Sequence, residues 1–110
     1  MKIKNVPFHL TDWSQIPAVE HEGETGTSFW QVFEEGNIRV RMVEYSSGFR
    51  SDHWCARGHV LLVVEGELII ELKNGQVHRM PSGTSFQAAD DDANPHLAYT
   101  INGAKVFIVD

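Results

Sequence analysis

His53, Cys55 and His59 fall within seven residues of one another, and a fourth donor, His96, lies far downstream. Imidazole and thiolate are the side chains that hold transition metals, so their spacing decides whether a site is possible. Side chains alternate faces along a β-strand, which puts His53 and Cys55 on one side. His59 returns to that side if the strand re-forms after Gly58. The spacing therefore predicts one concave wall carrying all three donors.

The elements that must position these residues come from a short chain. Its 110 residues, 42% of them apolar, fit one domain with one core. Nine Lys and Arg against fifteen Asp and Glu give a formal net charge of −6, with no basic cluster. That excludes nucleic acid and anionic membrane surfaces as expected partners, because both are bound through clustered cations. The opening segment lacks the apolar run of a signal peptide, and nothing approaches the ~20 apolar residues of a membrane span. The expectation is a soluble, cytoplasmic protein. A lone cysteine makes no internal disulfide, leaving Cys55 as packing, ligand or reactive thiol.

Short runs rich in Val, Ile and Phe recur between Gly, Pro and acidic turns, which predicts an all-β antiparallel domain. Eight strands are expected, near Phe29 to Phe33, Ile38 to Tyr45, His59 to Val64, Glu67 to Leu72, Gln76 to Met80, Ser85 to Ala88, Leu97 to Ile101 and Lys105 to Val109. Glu65-Gly66 and Asn74-Gly75 read as turns, the second as a hairpin. His59 to Val64 is apolar on both faces apart from its histidine, so both faces should be covered. A homodimer is expected to cover the outer one, with an N-terminal arm as the alternative. Residues 1–27, aperiodic but carrying Trp13, form that arm, and 28–110 the barrel.

Alternation assigns Ile38, Val40, Met42 and Glu44 inward and Arg39, Arg41 and Val43 outward. Met42, Glu44, Leu61 and Gln87 are the expected pocket residues, Gln87 on condition that Phe86 points out. Asp52 and Trp54, strand neighbours of the donors, should face away from them. Asp90 to Asp92 reads as a solvated acidic turn, and His9, His21 and His78 have no partners at ligand spacing.

Gly48, His53, Cys55, His59 and, after a gap of six residues, Gly66 resemble the first motif of the cupin superfamily, in which Gly, His-x-His, Glu and Gly follow one another. Gly83-Thr84 and Asn94-Pro95-His96 resemble the second. Asp52-His53-Trp54-Cys55 further resembles the small single-domain cupins named for a DHCW motif. The resemblance implies a jelly-roll β-barrel holding a divalent transition metal at its mouth. Cys55 and His59 stand where the superfamily has His and Glu, which softens the site toward Zn, Fe, Ni or Cu. If all four residues ligate, the site is a closed tetrahedron of the structural-zinc kind. If His53, His59 and His96 ligate alone, positions stay open and Cys55 is a neighbouring thiol. The open arrangement is expected, because a wall shaped for imidazole leaves the shorter cysteine out of reach.

No set of residues has the pattern of a nucleophile triad, so chemistry would belong to the metal, of an oxygenase or isomerase type acting on a small molecule. The competing expectations are a non-enzymatic ligand-binding cupin and a structural one, with closed zinc or no metal.

Overall fold

The computed structural model describes residues 2–110. Eight strands account for its regular structure: β1 Val19–Glu22, β2 Thr27–Glu35, β3 Ile38–Tyr45, β4 His59–Leu72, β5 Val77–Pro81, β6 Ser85–Ala88, β7 His96–Tyr99 and β8 Ala104–Val109. A single 3-10 turn, Trp13–Gln15, precedes them, started by Asp12 accepting from the Ser14 amide. Among the described residues no helix is long and apolar enough to cross a membrane.

All strand pairs are antiparallel, and the connections build a jelly-roll sandwich. One sheet runs β1-β2-β3-β8-β4, with β6 on the far side of the first half of β4. The second half of β4 leaves that sheet and lies between β5 and β7. β4 is thus one 14-residue strand shared by both sheets. The expected turn at Glu65-Gly66 is instead a bulge between Val63 and Glu65, where the strand bends from one sheet to the other. Gly66 has φ +76°, and a Cβ there would overlap the Gly103 carbonyl oxygen, so the bend requires glycine.

The core lies between the sheets and is made by Val43, Leu61, Val63, Leu68, Ile70, Met80, Val106 and Ile108. Strict alternation in β8 buries Ala104, Val106 and Ile108 and turns Lys105, Phe107 and Val109 outward. The register Met42↔Phe107 then sends Met42 outward as well. That outer face is apolar because the N-terminal segment lies on it. Trp13 meets Phe107 edge-on at 6.4 Å, His9 stacks on Phe33 at 4.7 Å, and the Gln31 side-chain amide donates to the Trp13 and Ile16 carbonyls at 2.6 Å each. The same segment also supplies β1, an edge strand that the sequence reading did not include. Beyond its reach, Val60, Leu62 and Val64 keep 38 to 39% of their surface exposed in a row along β4.

Candidate metal centre

Three chain segments meet at one end of the sandwich. His59 is the first residue of β4, His96 the first of β7, and Cys55 belongs to the extended segment between β3 and β4. That segment is not the strand the spacing implied. Its ladder pairing is limited to isolated bridges, Arg50 to Thr25 and Tyr99, and Cys55 to His96. The Cys55 amide donates to the His96 carbonyl at 2.7 Å and the His96 amide to the Cys55 carbonyl at 2.9 Å, which fixes the thiol beside the imidazole. Gly58 then lets the chain pass close under the Ala88 carbonyl, its amide held by the Asp90 carboxylate. As a result the donor atoms of Cys55, His59 and His96 all lie within 4.8 Å of one another. The two Nε2 atoms of His59 and His96 are 3.0 Å apart, and Phe86 packs against both rings at 5.6 and 5.5 Å.

Asp110 completes this arrangement from β8's end. Its carboxylate, 1% exposed, accepts from Arg39 at 2.9 and 3.0 Å and from Arg41 at 3.1 Å. The Nδ1 of His59, otherwise without a hydrogen-bond partner, faces it at 3.4 Å. A carboxylate opposite Nδ1 favours the tautomer with its proton there, which leaves the Nε2 lone pair directed at His96 and Cys55. Trp30 lies over Arg41 at 4.6 Å and Arg39 at 5.9 Å.

Burial, with the neighbouring His96 and Arg41 adding to it against Asp110, pushes the His59 imidazole down to about 4. Burial and His53 lower His96 in the same direction. Both rings are therefore neutral at pH 7 and can offer lone pairs to a cation. Burial alone would raise the Asp110 carboxyl. The hydrogen bond from Arg39 and the charges of Arg41, Arg39 and His59 outweigh it and hold the group below the usual carboxylate range.

His53 is not in this group. Its side chain is 70% exposed and its Nδ1 sits 2.7 Å from Asp52, the neighbour expected to face away from it. The bend at 52–53 replaces strand alternation, so the two side chains can meet. Trp54 lies beneath the Lys73 ammonium at 4.4 Å. Leu61 is buried against the site, but neither Met42 nor Glu44 lines the cavities at the donors: Met42 faces the N-terminal segment, and Glu44 is exposed at a separate cavity beside Gly66 and Gly103. The inward set on β3 is Arg41, Val43 and Tyr45, opposite to expectation. Charge misled the assignment: Arg41 is buried because Asp110 and Trp30 receive it. Phe86 points in, so Gln87 points out, exposed at a cavity rim with its side-chain oxygen accepting from Ser85 at 2.8 Å.

Two cavities of about 580 Å³ each adjoin the donors, and Cys55, Ile70 and His96 line both. One is polar, carrying Arg39, Arg41, Tyr45, His59 and Asp110. The other is walled by Leu72, Met80, Phe86 and Ala88.

No protein-family model matches the chain, and no curated protein matches it by sequence. Its shape, however, recurs among solved structures. An RmlC-like cupin from Shewanella frigidimarina superposes with a TM-score of 0.74 over 94% of this chain and 89% of its own, at 19% identity. The fold is that of the cupins. A sugar phosphate isomerase from the cupin superfamily of Silicibacter pomeroyi follows at 0.70, with 92% and 74% coverage and 18% identity. Fe(II)-HppE bound to an alternative substrate, (S)-1-HPP, reaches 0.73 at 14% identity, and the chain covers 94% of itself but only 60% of that protein. Cupin folds of this shape thus include metal-dependent enzymes.

The donors in this cupin fold fit a transition metal. A thiol and two neutral imidazoles form a soft set, with one ring backed by a carboxylate. The Nε2 atoms of His59 and His96, 3.0 Å apart and sharing a hydrogen bond without an ion, would both turn their lone pairs to one bound metal.

Proposed function

We propose that this chain is a small metal-binding cupin, similar to the DHCW group, that holds a divalent transition metal (Zn, Fe, Ni or Cu) on Cys55, His59 and His96 and binds or converts a small molecule beside it. The observation that carries the reading is the convergence of three donors from separate segments within 4.8 Å, with His59 backed by Asp110. When bound, the ion would supply Lewis acidity or a redox centre with positions left for water or substrate. The protein's own residues do the rest. Asp110 holds the His59 ring in one tautomer, Phe86 packs both imidazoles, and the polar cavity admits a ligand between Arg41 and the donors. His53, solvent-exposed and paired with Asp52, stands at the mouth rather than in the donor set. A second copy of the chain covering Val60, Leu62 and Val64 belongs to the same proposal, since the N-terminal segment leaves that row bare.

Elemental analysis of protein purified without chelator tests it, with His96→Ala and Cys55→Ala in parallel. About one equivalent of a single transition metal per chain, lost from both variants, is the expected outcome. Wild-type protein that stays metal-free after reconstitution, or variants that keep full occupancy, would reject the metal centre.

A further inference from the structure

The polar cavity holds more buried positive than negative charge. Arg39 and Arg41 both lean on the single carboxylate of Asp110, and the other charged groups at this cavity, Glu22, Asp52 and Arg57, the last 58% exposed and 3.9 Å from Asp110, sit at its rim, where solvent screens them. Arg39 spends two donors on Asp110 in a fork. Arg41, only 7% exposed, spends one, and its Nε is buried without any partner. A buried guanidinium donor with nothing to bond to costs free energy in the ligand-free protein, and an incoming acceptor would recover it. Trp30 fixes the guanidinium plane by stacking on it, itself anchored through its indole N–H to Ser28 at 2.9 Å.

The excess over Asp110 is one positive charge, which a monoanion neutralises and a dianion overshoots. Tyr45 lines the same cavity, and burial pushes its hydroxyl up to about 12, so it contributes a neutral donor and no further charge. His59 and His96 border the same space. An acid group held at Arg41 would therefore leave the remainder of a small ligand beside Cys55, His59 and His96.

We propose that Arg41 is the recognition residue for the carboxylate of a small organic monoacid bound in the polar cavity. This names the substrate class for the function proposed above and rests on that reading for the reaction. Recognition of the carboxylate itself needs Arg41 and not the metal. The planar two-oxygen acceptor matches the free edge of a guanidinium, whereas a phosphate brings more charge than the cavity lacks.

The test titrates metal-stripped and zinc-treated protein with sodium pyruvate, with its neutral amide and with sulfate, a dianion at neutral pH. The readout is the Arg41 Nε–H and Trp30 indole N–H signals in ¹H–¹⁵N spectra. Pyruvate should shift both signals saturably in the metal-stripped protein, the amide should shift neither, and Arg41→Gln should weaken pyruvate binding at least tenfold while Arg41→Lys weakens it less. Should the Arg41 variants fail to fold, the wild-type spectra still decide. Shifts confined to Arg50 or Arg79, which do not line the polar cavity, overturn the proposal, as does an equal response to pyruvamide. Tighter binding of sulfate than of pyruvate overturns the monoanion assignment. Zinc uptake without a pyruvate response rejects only the carboxylate site, and a pyruvate response without zinc uptake rejects only the metal centre.

Discussion

Replacing Asp110 by Asn changes one atom and removes one charge, yet its consequences reach both the fold and the donors. The carboxylate is 1% exposed and neutralises Arg41, which is 7% exposed. Taking away one partner of a buried pair leaves the other charge uncompensated, which costs about 3 to 5 kcal/mol. Arg39, 23% exposed, can turn toward water, so the lower end is the expected value. With an m-value of roughly 1 to 3 kcal/mol/M for a domain of this size, a loss of about 3 kcal/mol lowers the urea midpoint by between about 1 and 3 M. The pH profile carries the sign. Asp110's folded carboxyl lies below its ordinary value, so its contribution is fully present above the unfolded value near ~4 and is lost as pH falls through the lower folded value. The gap between wild type and variant should therefore be constant at neutral pH and close in acid. The second consequence falls on His59, whose Nδ1 loses its anionic neighbour. Metal affinity should drop by about 10- to 100-fold, read by competition against a chromophoric chelator in the refolded variant. An Asp110→Asn protein with a wild-type urea midpoint and unchanged zinc affinity would refute both the buried-pair argument and the positioning of His59.

Metal-free protein should lose stability as pH falls from about 6.5 toward 4, because the unfolded chain takes up a proton that buried His59 refuses. The loss, on the order of 3 kcal/mol from His59, should shrink by that amount in His59→Phe when both are followed by thermal melts across that range, leaving only the part due to His96, which is lowered in the same direction. Gly66→Ala should cost about 2 kcal/mol or more, since a methyl group at φ +76° meets the Gly103 carbonyl; an unchanged urea midpoint would contradict the bend as described. Light scattering should return twice 12.4 kDa for the wild type and a monomer for Leu62→Glu, whereas a wild-type monomer would remove the proposed dimer.

The strands were legible because their turns and alternation are local. Asn74-Gly75 does form the β4–β5 connection, with the Gly75 amide donating to the Leu72 carbonyl at 2.9 Å. Glu65-Gly66 was misread because turns and bulges use the same residues, and only the partner β8 distinguishes a reversal from a bend. His59 and His96 could be named from residue type, but the expected set of His53 with Cys55 out of reach is reversed: the Cys55 thiol joins the group and His53 leaves it, through a bend at 52–53 that no periodicity announces. The face of β3 failed for a more general reason. Hydrophobicity assigns the inside only when one face is wet, and here the outer face lies under the N-terminal segment while the inner one carries an arginine with its own carboxylate and indole. Asp110 gave no signal beyond an acid at the end of an apolar strand. Two arginines spaced two apart were the available hint of an interior counter-ion.

β4 opens at His59 and closes at Leu72, whose register partner is His96. The two imidazoles that nearly touch are therefore tied to opposite ends of one strand, which reaches both by bending at Gly66. Any bond that joins those rings turns the open bow of β4 into a closed loop. Opening either sheet would then require releasing the other, so amide exchange along β4 should change from two separately fluctuating halves to a single concerted event.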